Sequence, residues 1–341
     1  MQKVLVTGGG GYIGSHICVE LAAHGFLPVV VDNFCASDRR ILERAQRLAG
    51  RALVVHELDC RDTTRLREVL QREGDIFGVI HLAAHKSVGV SVQQPREYYD
   101  NNIGSLLSLL AAMEGASIER LVFSSSCTVY GQPKQVPVTE QSPIERAESP
   151  YGRTKQICEA ILNDVVASGA GLRGVTLRYF NPVGAHPSGL IGELPLGRPE
   201  TLVPYITQTA AGLRDELTVF GSDYPTRDGT CVRDYLHILD LASAHVAALE
   251  WLGRSSGGPC NEVFNLGTGA GVSVLEAITA FEAVSGVRLR YRLGPRRPGD
   301  AVEVYANVDK ARQQLGWVAR LGVHDALRDA WRWQQAIGRG L

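Results

Sequence analysis

The sequence predicts an α/β protein: a Rossmann-type doubly wound parallel sheet, with a smaller, loop-rich C-terminal domain. Three observations predict it. Short apolar, β-branched runs alternate with amphipathic stretches from the first residues onward, the rhythm of strands joined by crossover helices. The first run, Val4-Leu5-Val6-Thr7, leads straight into Gly8-Gly9-Gly10-Gly11-Tyr12-Ile13-Gly14. After Asn181 the rhythm gives way to a Gly- and Pro-rich stretch over 182–235.

The elements follow in order. Val4–Val6 reads as a buried parallel strand. Helical periodicity covers Tyr12–His24, with apolar positions at Ile13, Ile17, Leu21 and Ala22. Pro28–Val31 is a second buried strand, Arg39–Ala49 a helix and Ala52–His56 a third strand. Thr63–Arg72 is helical, and Gly78–His81 is the fourth strand. Pro95–Gly115 predicts one long helix, and Arg120–Phe123 the next strand. A helix over Tyr151–Ser168 begins after the stop at Ser149-Pro150, and a strand follows at Gly174–Arg178. In the loop-rich part, Pro204–Leu213 predicts a short helix. A helix at Ile238–Trp251, a strand at Val263–Asn265 and a terminal helix at Val323–Ala336 complete the chain. Interleaved domains are expected: 1–181, joined again by about 236–268, and a second domain made mainly of 182–341.

Composition narrows the function. Lys and Arg total 35 against 36 Asp and Glu, a net charge of -1. That excludes wholesale non-specific nucleic-acid binding and argues against a polybasic membrane surface. With 45% hydrophobic and 21% charged residues, global disorder is excluded. Lysine is rare, at Lys3, Lys86, Lys134, Lys155 and Lys310, so each is worth locating. The cysteines, Cys18, Cys35, Cys60, Cys127, Cys158, Cys231 and Cys260, lie far apart. They form no C-x-x-C pair, so no metal site is expected, and they read as reduced thiols of a cytoplasmic protein. No run of 18 apolar residues occurs, and no secretory segment is expected before the first strand.

Glycines at 8, 11 and 14 have the spacing of a dinucleotide turn. Glycine lets the backbone bend sharply and approach a pyrophosphate, which then meets the N–H groups opening a helix. A bare glycine-rich turn without ligand is the alternative. Asp32 closes the second strand, 18 residues after Gly14. A carboxylate there can accept both adenosine-ribose hydroxyls and would repel a 2′-phosphate, so NAD is favoured over NADP. Helix capping is the plainer role for Asp32. Asp59 could bond the adenine amino group or cap the helix at Thr63; both readings stand.

Tyr151 and Lys155 share one helix face by their i, i+4 spacing. A lysine beside a tyrosine favours the phenolate. A phenol titrating near ~10 needs roughly 4 kcal/mol of electrostatic help to act as a base near pH 7. Ser124-Ser125-Ser126 ends a strand at its C-terminal edge, where α/β proteins bind ligands. Each piece alone has an ordinary reading, a solvated helix face or a turn. Their order behind the glycine turn is the Ser–Tyr–Lys pattern of extended short-chain dehydrogenases.

The resemblance narrows further. VTGGGGYIGSH, VVDNF, VIHLAAHKSVGVSVQ, YYDNN, FSSSCTVYG, SPYGRTK, LRYFNPVGAHPSG, FGSDYPTRDGTCVRDYLH and RRPGD resemble the UDP-glucose 4-epimerase family along nearly the whole chain. That resemblance implies a homodimer, formed through helices such as Pro95–Gly115 and Tyr151–Ser168, and a redox isomerisation on tightly held NAD. Tyr151 would take the proton of the sugar 4-hydroxyl while C4 passes hydride to the nicotinamide. The 4-ketose would turn in the pocket and be reduced on its other face. Ser126 would bond the 4-oxygen, and Lys155 the nicotinamide ribose.

Other residues match the family's NAD contacts. They are Tyr12 and Ile13 at the pyrophosphate, with Asn33, Cys60, the Leu82-Ala83-Ala84 segment, Lys86, Asn101 and Ser124. Phe180 would lie near the nicotinamide, or simply pack the core. For the UDP-sugar, Arg233 and Arg297 match the diphosphate contacts, Asp300 a uridine-ribose acceptor, and Asn181 a diphosphate or sugar contact. Phe220 fits a stacking or backbone position at uracil. Lys86, Thr201 and Leu202 complete the expected substrate contacts.

Three positions depart from the family pattern. Cys127 stands where alanine is frequent, and Thr201 where asparagine is familiar. Val304 occupies a position that carries either a bulky tyrosine or a small residue, so the pocket is expected to be wider and to admit UDP-GlcNAc and UDP-GalNAc. Among rival readings, a 4,6-dehydratase needs an Asp-Glu pair where this chain has Cys127-Thr128-Val129. A uronate epimerase or decarboxylase stays open in principle. An NAD-sensing scaffold has no use for Tyr151 and Lys155.

Overall fold

A computed structural model of the chain describes residues 1–254, 257–297 and 299–340. Pro298, within the RRPGD segment, lies outside the described residues. The first elements are β1 (Lys3–Thr7), α1 (Tyr12–Ala23), β2 (Leu27–Asp32), α2 (Arg39–Ala49), β3 (Val54–Glu57), α3 (Thr63–Glu73) and β4 (Ile76–His81). Next come α4 (Val88–Gln93), α5 (Pro95–Gly115), β5 (Arg120–Ser126), α6 (Pro150–Ala167), β6 (Arg173–Tyr179), β7 (Asn181–Val183), α7 (Leu202–Ala210) and β8 (Leu217–Phe220). The rest are β9 (Val232–Arg233), β10 (Tyr235–His237), α8 (Ile238–Arg254), β11 (Cys260–Leu266), β12 (Val272–Ser273), α9 (Val274–Ser285), β13 (Tyr291–Gly294), β14 (Glu303–Val304) and α10 (Val323–Ile337).

The chain divides into two compact units. The first comprises Met1–Gly131, Arg146–Arg178 and Ala242–Phe264; the second comprises Gln132–Glu145, Tyr179–Leu241 and Asn265–Leu341. The first is built on a seven-stranded sheet in the order β11-β6-β5-β4-β1-β2-β3. The β1–β2, β1–β4, β2–β3 and β4–β5 pairs are parallel. The strand order reverses between β1 and β4, and ligands of such sheets bind at that switch, beyond the C-terminal strand ends. Val4, Leu5, Val6, Val29, Val30 and Val31 are fully buried, as strands covered on both faces must be. Leu106 and Leu109 of α5 and Leu162 of α6 pack against the sheet in one core.

The helix ends obey local chemistry. Asp38 caps α2, accepting from the Arg40 N–H, and Gly50 ends it in the left-handed region at φ 64. Asp62, not Asp59, caps α3 by accepting from the Arg65 N–H. That removes the capping reading of Asp59.

The second unit is assembled from short pieces. β10 and β7 pair in parallel, β9 lies between β12 and β14, and β13 pairs with β8. Its core gathers Val203 and Ile206 of α7, Phe281 of α9 and Leu327 of α10. Helices α4 and α9 were not expected from the apolar pattern. In α9, Val274, Leu275, Ala277, Ile278, Ala280 and Phe281 blur any polar face. The legible signal was at its start, where Ser273 and Glu276 form a reciprocal capping box.

Candidate active site

The turn after β1 is shaped for close backbone approach. A Cβ on Gly14 would stand 2.3 Å from the Gly8 oxygen. Gly8 itself has φ +70, and a Cβ on it would meet the Ala83 nitrogen at 2.9 Å. Gly11 is the N-cap of α1 and brings no capping side chain. The opening N–H groups of α1 therefore present donors and positive dipole, the chemistry that holds a phosphate. Asp32, at the end of β2, is buried. Its Oδ2 accepts from the Gly10 N–H at 2.9 Å, and its Oδ1 from the Phe34 N–H at 2.8 Å and the Ser37 hydroxyl at 2.9 Å. It caps no helix; it ties the strand end to the glycine turn. The residues present fit a dinucleotide.

Of the neighbouring expected contacts, Asn33, Asp59, Cys60 and Leu82–Ala84 follow the strand ends, Lys86 lies in the loop after β4, and Asn101 is on α5. Leu82 donates its N–H to the Thr7 carbonyl at 3.1 Å, which holds the Leu82–Ala84 segment against Gly8. Asn33 bonds Asp59 at 3.3 Å, and Arg61 forks onto Asp59. This holds the Asp59 carboxyl down at about 2, so it is an acceptor at all working pH. Cys60 is buried, and burial pushes its thiol up to about 12. The Lys86 ammonium stands 5.9 Å from the Tyr12 ring centroid. Asn101 donates to Asn102 at 3.0 Å.

Ser149 caps α6, accepting from the Gly152 N–H, and Pro150 opens it. Tyr151 and Lys155 then fall one turn apart, both buried. Lys155 Nζ donates to the Ser124 carbonyl at 2.7 Å and lies 6.0 Å from the Tyr151 ring centroid. The Ser126 hydroxyl accepts from the Thr128 N–H at 3.2 Å and lies close enough to the Tyr151 phenol to favour its ionised form. Burial pushes that phenol up to about 12 against the opposing pull of Ser126, and holds Lys155 down at about 8. The demand on the site is therefore larger than an exposed tyrosine implies. Ionising Tyr151 at pH 7 takes roughly 7 kcal/mol of local electrostatics. Desolvation is the reason, and the sequence could not show its size.

In the second unit, Asp300 is bracketed by two arginines. Arg297 forks onto it at 2.8 and 3.1 Å, and the Arg233 guanidinium is 3.6 Å away. The Arg297 guanidinium also stands 5.7 Å from the ring of Phe220, whose side chain is exposed at the end of β8. Val304 is buried and pairs in register with Arg233. So Arg233, Arg297, Asp300, Phe220 and Val304 come together. The Asn181 N–H donates to the Asp234 carbonyl at 2.9 Å, beside Arg233 in the chain. Phe180 is buried and its N–H donates to the Leu266 carbonyl at 3.1 Å. Thr201 and Leu202 sit at the start of α7, with the Thr201 hydroxyl on Glu193 at 3.3 Å.

Several supporting residues escaped the sequence reading. Asp234, fully buried, accepts from Thr268 N and Oγ1, Gly269 N and Ala306 N at 2.7–3.2 Å. It ties the Arg233 strand to the segment after Val304. Arg296 bonds Asp223 at 2.8 Å and covers the Tyr224 ring at 4.2 Å. His245 shares a 2.9 Å hydrogen bond with the Ser124 hydroxyl. Among the described residues no cluster of His, Cys, Asp or Glu could hold a metal ion, and no helix is long and apolar enough to cross a membrane.

Known proteins match this arrangement. Residues 4–267 match the model of the NAD dependent epimerase/dehydratase family. UDP-glucose 4-epimerase 2 of Arabidopsis thaliana is 50% identical over 335 residues, 97% of this chain and 95% of the relative. A crystal structure of UDP-glucose-4-epimerase from Stenotrophomonas maltophila, with bound NAD and formylated UDP-arabinopyranose, superposes with a TM-score of 0.97 at 51% identity over all of both chains. The enzyme from Bifidobacterium longum, in complex with NAD+ and UDP, gives 0.95 at 44% identity, again over all of both chains. With its glycine turn, its Ser–Tyr–Lys set and these full-length relatives, the chain belongs to the NAD dependent epimerase/dehydratase family, among its UDP-glucose 4-epimerases.

Proposed function

We propose that this protein interconverts UDP-glucose and UDP-galactose by transient oxidation at sugar C4, using tightly bound NAD. The observation that carries this is a buried phenol, Tyr151, whose proton affinity Ser126 draws down, with the Lys155 ammonium 6.0 Å from its ring. When bound, NAD supplies a reversible two-electron oxidant and a positive charge. Tyr151 takes the 4-hydroxyl proton, keeps it on the phenolic oxygen, and returns it to the 4-oxygen of the product. Ser126 donates to whichever oxygen carries negative charge. Lys155 offsets the phenolate charge through space. The proton and both electrons return to the sugar, so no net redox change results.

The first unit holds NAD through Gly8, Gly11, Tyr12, Ile13, Gly14, Asp32 and Asp59. In the second, Arg233 and Arg297 meet the diphosphate, and Asp300 the uridine ribose. Doubly charged phosphates suit forked guanidinium donors. The protein works as a cytoplasmic homodimer. Seven free thiols support the compartment. The deciding experiment incubates purified protein with UDP-galactose, without added NAD. Formation of UDP-glucose is expected; none forming in a folded, NAD-loaded preparation overturns the assignment.

One observation favours a wider substrate range. Val304 is the buried register partner of Arg233, and valine lacks the ring that a tyrosine would place there. The protein accepts the N-acetyl group of UDP-GlcNAc and UDP-GalNAc in that space.

A further inference from the structure

One turn beyond Lys155, α6 carries a second buried charge, Glu159. At i, i+4 spacing a free carboxylate there would pair with the Lys155 ammonium. It is taken instead by another partner. Arg178 of β6 forks onto it, Nε to Oε1 at 3.0 Å and Nη2 to Oε2 at 2.6 Å. The Ser125 hydroxyl donates to Oε1 at 2.5 Å. Arg178 in turn donates to the Tyr130 hydroxyl at 3.0 Å. All four residues are buried. The three serines that end β5 are thus held separately: Ser124 by His245 and Lys155, Ser125 by Glu159, and Ser126 by the Thr128 N–H.

We infer that the Glu159–Arg178 pair is a positioning device for Lys155: Arg178 occupies the carboxylate that would otherwise draw the ammonium one turn along α6. Lys155 is left on the Ser124 carbonyl, beside Tyr151. This inference rests on the proposed roles of Tyr151 and Lys155. Other groups also face the ammonium. On α6 they are Tyr151 and Cys158; on β4 there is His81, which burial and the Lys155 charge keep neutral; on β5 there is the Phe123 ring at 4.9 Å. Glu159 is the one carboxylate among them, and its charge raises the lysine's proton affinity against burial. Removing one member of the pair therefore moves Lys155 in a direction set by which charge remains. A merely structural role predicts no such opposition.

The five lysines make the test direct. Protein carrying ε-13C-lysine is titrated by NMR as purified, and Lys155→Met assigns the signal. Glu159→Gln lowers the Lys155 midpoint by about one unit, Arg178→Gln raises it by about one unit, and the double variant returns it near wild type. kcat follows the midpoint, while KM for UDP-galactose stays within about 2-fold. If Arg178→Gln does not fold, Glu159→Gln and the double variant carry the test, the first lowering the midpoint and the second restoring it. Unmoved midpoints, or shifts of one sign in both single variants, overturn the inference. Absence of turnover in the wild type would instead sink the epimerase reading, and the lysine titration would still decide this one.

Discussion

Lys155 stands beside Tyr151 without sharing a hydrogen bond with it. The ammonium donates to the Ser124 carbonyl at 2.7 Å and stands 6.0 Å from the Tyr151 ring centroid. The lysine is thereby anchored to the sheet with its charge facing the Tyr151 ring. Strand β5 carries both Ser124 and Ser126, so one strand end places the two serines and, through Ser124, the Lys155 ammonium.

Removing the phenolic oxygen tests the base. Tyr151→Phe keeps the ring in its buried site, so NAD and UDP binding are retained. Turnover of UDP-galactose should fall by ~10²–10⁴. Steady-state kinetics alongside UDP binding by calorimetry measures both. Near-normal kcat would move the proton to another group.

Burying Lys155 carries a stability cost that depends on pH. Its folded-state value, about 8, lies below the ordinary lysine value of 10.5, so the unfolded chain binds the extra proton between those limits. Stability from this group therefore rises as pH goes from about 8 to 10.5 and is lowest below 8. The full penalty is about 3 kcal/mol, partly offset by the bond to Ser124. Lys155→Met should stabilise the cofactor-free protein by about 1–2 kcal/mol at pH 7, and the gain should vanish by pH 10.5. Urea unfolding at both pH values gives the answer. A gain that grows with pH contradicts the burial argument.

The glycine cradle predicts cofactor retention. NAD should co-purify with the wild type in near-stoichiometric amount, because the cycle returns its electrons each turnover. Gly14→Ala places a Cβ 2.3 Å from the Gly8 oxygen and forces the turn open. Acid extracts of this variant should contain little NAD, with loss of turnover that added NAD restores poorly. Full retention of NAD by Gly14→Ala would place the cofactor elsewhere.

Pocket width is tested at Val304. The wild type should epimerise UDP-GalNAc as well as UDP-galactose. Val304→Tyr should suppress the N-acetylated reaction at least ~10-fold while sparing UDP-galactose, since a pocket that rejects added bulk discriminates by 1–3 kcal/mol. A wild type that turns over UDP-galactose briskly and leaves saturating UDP-GalNAc untouched refutes the width argument.

Much of this protein was legible because its chemistry is local in the chain. The run from Val4 to Gly14 specifies a strand, a sharp turn and a helix within a dozen residues. Tyr151 and Lys155 share a helix face by spacing alone, and Asp32 ends a strand whose burial its valines announce. The boundaries of α2 and α5 follow from periodicity, and their ranges agree with the expectation. Family resemblance carried the arginines and Asp300, which no local pattern distinguishes from other surface charges.

Tertiary structure decided the rest, since burial and partnership belong to the folded chain. Ser125 meets Glu159 across 34 residues, Ser124 meets His245 across 121, and Asp234 meets Ala306 across 72. Nothing near Glu159 in sequence says that Arg178 rather than Lys155 takes its charge. The phenol of Tyr151 likewise has an ordinary proton affinity in an extended chain. Only when α6 packs on β5 does lost solvation raise it, while the same packing lowers that of Lys155. The sequence determined which groups this site contains; the close-packed interior determined their charges, because an ion's energy depends on the water it has lost and the partners it has found.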